Sequence, residues 1–457
     1  MSAQSDPSAA VVPEEWRAAF RWLEGTLGGR VVRAEPQPRW RPAWLIDLER
    51  DGEILRLYWR GERGLSEGIN DVYDLEREER ILRVLEAQSI PVPHIHVVCP
   101  EPRALVMQRL PGRSNLALAE SEAEREAVLD HYVEILAAVH AIDPREFEAA
   151  GLPSPPPGQA ALGDLDLWER IYRKAKRRPE PLIEFALKWV RRHAPRRERA
   201  SFVLSDSGQF VFDAGRVSAV LDVEYGHLGD PIADLAGLRT REIFEPLGDL
   251  SRAVRRYGEI SGAAVEPDLL WWHTARFALY TPLSVAHVSA DPDPGVDWAQ
   301  YRTFLLGQSR LALQGIAEAT GAETPVLPLP AGEASPISPA HAALVDALSR
   351  RRDAAAESVD AYEAERCLRI AEHLRRVDEI GPEIDRQERE DRTRLLGHPC
   401  GVGTESDAEI EALVLAAGPE RDAELLDYFQ LRILRECELF RPAMREMEDK
   451  VAQPIHF

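Results

Sequence analysis

The stretch richest in chemistry runs from Ser201 to Glu224: Ser-Phe-Val-Leu-Ser-Asp-Ser-Gly-Gln-Phe-Val-Phe-Asp-Ala-Gly-Arg-Val-Ser-Ala-Val-Leu-Asp-Val-Glu. Apolar residues lead into a polar knot at Ser205 to Gln209. Phe210 to Phe212 then reads as one strand and Val217 to Leu221 as another, around the turn Asp213-Ala-Gly215-Arg216. Two short β-rich runs about a Gly-containing turn predict a hairpin. The runs are of similar length, so the hairpin returns Asp222 to the neighbourhood of Asp206 and Gln209. Two carboxylates and an amide oxygen at the open end of a hairpin suit a hard divalent cation such as Mg²⁺ and can orient a hydroxyl group.

The stretch resembles the catalytic core of the aminoglycoside phosphotransferase and choline kinase-like family, small-molecule relatives of the protein kinases. That family reads His-Gly-Asp, a short loop, Asn, a β pair, then Asp-Trp-Glu and Gly-Asp-Pro. The tail matches well here: Leu221-Asp222-Val-Glu224, then His227-Leu-Gly229-Asp230-Pro231 and Asp234-Leu-Ala236. The head departs. Leu204-Ser205 stands where His-Gly is usual, and Gln209 stands where Asn is usual. The loop between Asp206 and Gln209 is shorter than is common. The resemblance implies Asp206 as the catalytic-loop aspartate, Gln209 and Asp222 as magnesium ligands, and ATP as phosphoryl donor. The acceptor it implies is a small hydroxylated molecule. Similar runs also occur beside acyl-CoA dehydrogenases, so a hydroxyacyl metabolite is as good an acceptor as an antibiotic. The departures at Leu204, Ser205 and Gln209 leave a second reading open, a kinase-like protein that binds nucleotide or ligand without turnover and acts through its helical C-terminal module.

The elements that must position these groups follow along the chain. Residues 1–13 form a polar tail expected to be disordered. Glu14 to Leu27 carries Trp16, Phe20, Leu23 and Leu27 at helical spacing, ended by Gly28-Gly29. Val31–Glu35, Ala43–Leu48 and Ile54–Trp59 read as strands of an antiparallel sheet. In a kinase-like N-lobe a Gly-rich loop covers the phosphates. Here the matching place is Arg39-Trp-Arg-Pro-Ala-Trp44, without glycine. Arg39 and Arg41 can serve as phosphate partners in its stead, or be solvated arginines beside packing tryptophans. On the third strand Arg56, Tyr58 and Arg60 share one face. The resemblance places there a cation that grips the α/β-phosphates, paired to a helix glutamate. No lysine is available, and Arg60 fits the strand-to-helix spacing, with Glu78 as its partner on the helix Asp74–Leu85. Ala104 to Gly112 resembles the hinge between lobes, with backbone groups near Met107 to Arg109 meeting the adenine edge.

Glu120–Ile142 reads as a helix with His140 on its apolar stripe, a core histidine by the pattern. Leu165–His193 reads as helical. Asp230 is expected to cap a helix opening at Pro231, Asp234 to act structurally, and His227 to lie either beside Asp222 or in the core. Asp249–Ser261, Pro267–His287 and Trp298–Ala319 are further helices. Trp271, Trp272, Phe277 and Tyr280 either line an acceptor pocket or form core. Thr324–Pro339 is a Pro/Ala/Gly/Ser-rich linker. Beyond it come helices from Ala340, Cys367–Ile380 with a stop at Gly381-Pro382, Ile410–Ala417 and Ala423–Phe440. The expected architecture is α+β: a bilobal protein-kinase-like fold with a tail over residues 1–13, an N-lobe over 14–108, a C-lobe over 109–323, a linker over 324–339 and an all-helical module over 340–457. The last helices either pack on the kinase-like part or pair with a second copy in a homodimer.

Composition narrows the partners. The chain has 457 residues, 44% hydrophobic, with a formal net charge of −22. Such acidity argues against nucleic acid or an anionic membrane as partner, since both select basic patches. Four scattered cysteines without metal-ligand pairing suit a reducing compartment. The N-terminus shows no signal-peptide pattern and no run of about 18 apolar residues occurs, so a cytoplasmic, soluble protein is expected. No Gly-x-Ser-x-Gly elbow or His-Glu-x-x-His motif supports a hydrolase.

Overall fold

The computed structural model describes residues 13–37, 41–62, 73–328, 330–355 and 359–457. Its first helix, α1 (Arg17–Leu27), stops where Gly28 turns left-handed at φ 70°. Strands β1 (Arg30–Pro36), β2 (Ala43–Arg50) and β3 (Glu53–Gly61) follow, then helix α2 (Leu75–Ala87) and strands β4 (Ile95–Pro100) and β5 (Arg103–Gln108). These five strands form one antiparallel sheet in the order β1-β2-β3-β5-β4. Asp74 starts α2 by accepting from the Arg77 amide, which satisfies one of the open N–H groups of a helix start.

The alternation expected on β3 is present: Leu57 and Trp59 are buried, while Arg56 is exposed and Tyr58 and Arg60 are half-buried. The buried side joins a core of Phe20, Leu23, Trp44, Ile46, Leu48, Leu57, Trp59, Cys99 and Val106. Phe20 meets Trp44 edge-on at 5.3 Å, and Trp16 packs on both tryptophans. This sheet is therefore held on one face by Trp16 and by Phe20 of α1, which leaves the Arg60 face for other work.

Next come α3 (Glu122–Ala141), α4 (Pro144–Ala149), α5 (Leu165–Ala175) and α6 (Pro181–Arg192). The single helical segment expected over 165–193 is two helices. Pro179 and Pro181 withhold N–H groups and bias the preceding residues out of helix, so the break falls at Lys176–Glu180. Strand β6 (Ser201–Val203), hairpin strands β7 (Phe210–Asp213) and β8 (Arg216–Val220), and strand β9 (His227–Gly229) follow. The hairpin forms as expected, with Phe210 opposite Val220. The short antiparallel pair β6 and β9 was not foreseen, because three-residue strands carry too little pattern. Asp230 caps α7 (Ile232–Arg241) by accepting from the Ile232 amide at 2.9 Å.

The remaining helices are α8 (Leu250–Ser261), α9 (Pro267–Ala278), α10 (Tyr280–Ala290), α11 (Trp298–Thr320), α12 (Ser338–Ala354), α13 (Val359–Leu396), α14 (Thr404–Ala416) and α15 (Asp422–Met444). The expected stop at Gly381-Pro382 does not occur: α13 runs through Pro382. Ile380, Gly381 and Ile384 are all buried there, and that packing outweighs the local cost of an interior proline.

The chain divides into two compact units. One holds the described residues up to Pro156 with Arg199–Asp234 and Glu245–Ala264, and so contains the sheet, α2, α3, the hairpin and α8. The other holds Pro157–Glu198, Leu235–Phe244 and Val265–Phe457. The boundary expected at 339/340 is not a packing boundary within this second unit. Phe429 of α15 stacks on Phe185 of α6 at 5.2 Å, Lys188 donates to the Val414 and Ala417 carbonyls at the end of α14, and Arg369 of α13 donates to Thr303 of α11. Trp272 and Tyr280 are core residues here, the Trp272 indole donating to the Val190 carbonyl. No helix among the described residues is long and apolar enough to cross a membrane.

Candidate active site

Two groups of side chains sit at the open end of the hairpin. The first grows from the loop after β6. Its backbone is held by Asp234, whose carboxylate accepts from the amides of Leu204 at 2.8 Å and Ser205 at 2.7 Å. Asp234 is wholly buried and is itself held by His140 of α3, whose Nε2 lies 2.9 Å from Oδ2. His140 Nδ1 meets the Tyr257 hydroxyl of α8 at 2.8 Å. Burial alone would push the Asp234 carboxyl up, but the His140 hydrogen bond and charge and the Leu204 amide hold it below its usual range. The tyrosine–histidine–aspartate chain thus fixes the peptide that presents the next residue, Asp206.

Ser205 has φ 70°, a left-handed conformation that favours glycine. This is the position where the family pattern has glycine, so the backbone keeps the shape although the residue differs. Gly208, at φ 94°, turns the short loop tightly, and its amide donates to the Tyr132 hydroxyl at 2.8 Å. The turn brings Gln209 back onto Asp206, the amide Nε2 donating to Asp206 Oδ2 at 2.7 Å. The Leu221 amide donates to the Gln209 carbonyl at 2.9 Å, which ties the loop to the end of β8.

The second group begins there. Asp222 is left-handed, φ 55° and ψ 50°, a conformation that aspartate tolerates better than most residues. Its Oδ1 accepts from Arg60 Nη2. Arg60 Nε donates to Glu78 at 3.0 Å, and Nη2 also reaches Glu224 at 3.3 Å. Glu224 in turn accepts from Arg41 Nη2, and Arg41 Nη1 stands 3.9 Å from Glu78. Burial works against the charge on Arg60, yet Glu78, Asp222 and Glu224 raise its pKa well above the ordinary arginine value. Arg77 of α2 donates to the backbone carbonyls of Glu224, at 2.7 Å, and Gly226. Strand β3, helix α2 and the segment after β8 are therefore tied through one charged cluster.

The expected partnership of Arg60 and Glu78 is present, as is the meeting of Asp206 with Gln209. Asp222 lies with Arg60, linked to Gln209 through the backbone. Arg41 is buried against Glu224. Arg39 lies outside the described residues. Met107 is buried on β5, opposite Tyr58 and Ile95. After it, the amides of Gln108 and Arg109 donate to the carbonyls of His94 and Arg56. His227 is buried, with Nδ1 at 3.1 Å from the Tyr225 carbonyl.

Sequence reasoning missed the working partners of His140, Glu224 and Arg77. For His140 the signal was its place on the apolar stripe of a helix, which says nothing of its partners 94 and 117 positions away. For Glu224 the Asp-x-Glu spacing was visible, but its burial was not.

Chemically, the site offers oxygen donors of the hard type: the carboxylates of Asp206 and Asp222 and the amide oxygen of Gln209. Among the described residues no group of three His, Cys, Asp or Glu side chains is placed to hold a metal. A cation here would have to combine two carboxylates with an amide oxygen and phosphate oxygens, which suits Mg²⁺. Because Gln209 Nε2 is turned to Asp206, Oε1 is the amide atom left for that purpose. The Arg60 guanidinium carries a positive charge held by Glu78, Asp222 and Glu224.

Residues 68–269 match the family model described as the phosphotransferase enzyme family. A candidate aminoglycoside phosphotransferase from Ralstonia eutropha JMP134 superposes with a TM-score of 0.52 at 21% identity, covering 68% of this chain and 98% of the other. Mouse acyl-CoA dehydrogenase family member 10 is 30% identical over 175 residues, which are 35% of this chain and 16% of that protein. Chicken acyl-CoA dehydrogenase family member 11 is 27% identical over 180 residues, 36% of this chain and 23% of that protein. The chain thus spans less than a quarter of the length of these relatives.

Proposed function

From a protein-kinase-like fold whose residues 68–269 match a phosphotransferase family, we propose that this protein transfers the γ-phosphoryl group of ATP to a hydroxyl of a small molecule. The observation that carries the reading is the Arg60–Glu78 pair on β3 and α2, joined to Asp222 one hairpin away from Asp206. Phosphoryl transfer asks a protein chiefly for positioning and for charge neutralisation.

In this reading Asp206 accepts a hydrogen bond from the acceptor hydroxyl and aims its oxygen at the phosphorus. Gln209 holds the Asp206 carboxylate in place through Nε2 and turns Oε1 to the cation. Asp222 gives that cation its carboxylate. Magnesium, when bound, supplies Lewis-acid neutralisation of the phosphate oxygens. Arg60, braced by Glu78, grips the α/β-phosphates. The adenine is read by backbone groups beyond Arg109, because the Gln108 and Arg109 amides already donate to the His94 and Arg56 carbonyls. The His140–Asp234 brace does for Leu204 and Ser205 what a loop histidine does where one is present: it fixes the peptide before the aspartate.

A second reading, nucleotide binding without turnover, is favoured by one feature. The proposed metal ligand Asp222 and the proposed catalytic Asp206 are both engaged by protein donors, Asp222 by Arg60 and Asp206 by Gln209. The two are separated by one assay. Purified protein is incubated with ATP, Mg²⁺ and a panel of hydroxyl compounds including aminoglycosides and hydroxyacyl thioesters. Acceptor-dependent ADP release that Asp206→Ala abolishes supports transfer. Bound ATP with no release supports the second reading.

A further inference from the structure

Glu224 carries more than its place in the chain suggests. Its side chain is 3% exposed. Yet its Oε2 accepts from both Arg41 and Arg60, and its backbone carbonyl accepts from Arg77. We propose that Glu224 is a positioning residue: with Glu78 it fixes the plane of the Arg60 guanidinium for the nucleotide phosphates, and it keeps that plane fixed when Asp222 turns to a metal ion.

The argument starts from the shape of arginine. A lysine ammonium is a point charge, and one carboxylate on a helix is enough to aim it. A guanidinium is a planar fork that can rotate about one contact, so fixing it takes acceptors on two edges. Glu78 takes the Nε edge at 3.0 Å. The Nη2 edge has two acceptors, Asp222 and Glu224 at 3.3 Å. A cation on Asp222 competes for the first of these. Glu224 is then the acceptor that remains.

Arg41 completes the device. A carboxylate this close to a phosphate site would repel the phosphates if it stood alone. Arg41 is buried against Glu224, so its charge is balanced locally. The strand start that lacks a glycine-rich loop thus contributes a buried counter-ion.

This inference rests on the nucleotide-binding reading above, and its test distinguishes the two. Calorimetric titration with ATP, ADP and adenosine, in the presence of Mg²⁺, is run on the wild type, Glu224→Gln and the double variant Arg41→Gln/Glu224→Gln. Melting temperatures are recorded alongside. Glu224→Gln keeps the shape but replaces the charged acceptor with a weaker neutral one, and the double variant removes both charges together, which spares the fold an unpaired buried ion. The expected result is a loss of about tenfold or more in affinity for ATP and ADP in both variants, with adenosine unchanged, since only the phosphate grip is touched. Wild-type affinity for ATP in both variants overturns the inference and leaves the nucleotide reading standing. An equal loss for adenosine and ATP also overturns it, because the effect is then a general loss of structure. A wild type that binds none of the three ligands overturns both.

Discussion

At the scale of single residues, Asp206 and Gln209 form the contact that the reaction would depend on. The Gln209 side chain is one methylene longer than asparagine, and the loop that carries it is short and turns at Gly208. Extra reach and a tighter loop offset each other, so the amide still meets the carboxylate. If Asp206 orients the acceptor, Asp206→Asn is expected to lower kcat by about 10²- to 10⁴-fold, the usual worth of such a group, with ATP affinity unchanged. Steady-state kinetics beside calorimetry checks this. Arg60→Lys is expected to weaken ATP binding even though charge is conserved. A lysine cannot take Glu78 and Glu224 along two edges at once. If the variant binds ATP as the wild type does, the fork geometry is irrelevant.

At the scale of elements, the loop after β6 is shaped by helices distant in sequence. Helix α3 sends His140 and α8 sends Tyr257 to Asp234, which holds the Leu204 and Ser205 amides. The Asp234 carboxyl is lowered in the folded protein. An acid whose folded pKa is depressed contributes stability that is present above its unfolded value, about 4. That contribution is lost as pH falls through the lower folded value. Wild type should therefore exceed Asp234→Asn in stability by about 1–3 kcal/mol at neutral pH, the cost of leaving buried donors poorly satisfied. The gap should narrow only below about pH 4. Denaturant melts of both proteins across pH 3 to 8 give the test, and a gap that is flat over that range would contradict the assignment.

At the scale of the whole molecule, the C-terminal helices divide by burial. Phe429 of α15 is fully buried and stacks on Phe185. Helix α12 has no buried residue at all, and Leu344 on it is 46% exposed. Phe429→Ala should destabilise by about 3–5 kcal/mol, the transfer and cavity cost of a buried aromatic. Leu344→Asp should stay within about 0.5 kcal/mol, as exposed positions do. Thermal or urea unfolding compares the two. Equal effects would mean that α15 is not part of the core. The residues beyond 339, expected to be a separate module, share helix contacts with 157–198 and 265–323 in one compact unit.

What the chain states locally was readable from it. Strand alternation on β3, the hairpin turn and the Asp-Pro start of α7 all depend on neighbours within a few positions, where backbone geometry and periodicity act. The pairing of Arg60 with Glu78 was also readable, since 18 residues carry it and the family pattern fixes its spacing. Pro382 inside α13 shows the limit: a strong local stop signal gave way to the burial of Ile380 and Ile384. Contacts across 94 to 183 positions, such as His140 with Asp234 and Arg41 with Glu224, leave no periodic trace. Burial decides them, because a charge out of water must find an opposite charge wherever the fold places one. Residue types named the chemistry; only the packed chain chose which arginine answers which carboxylate.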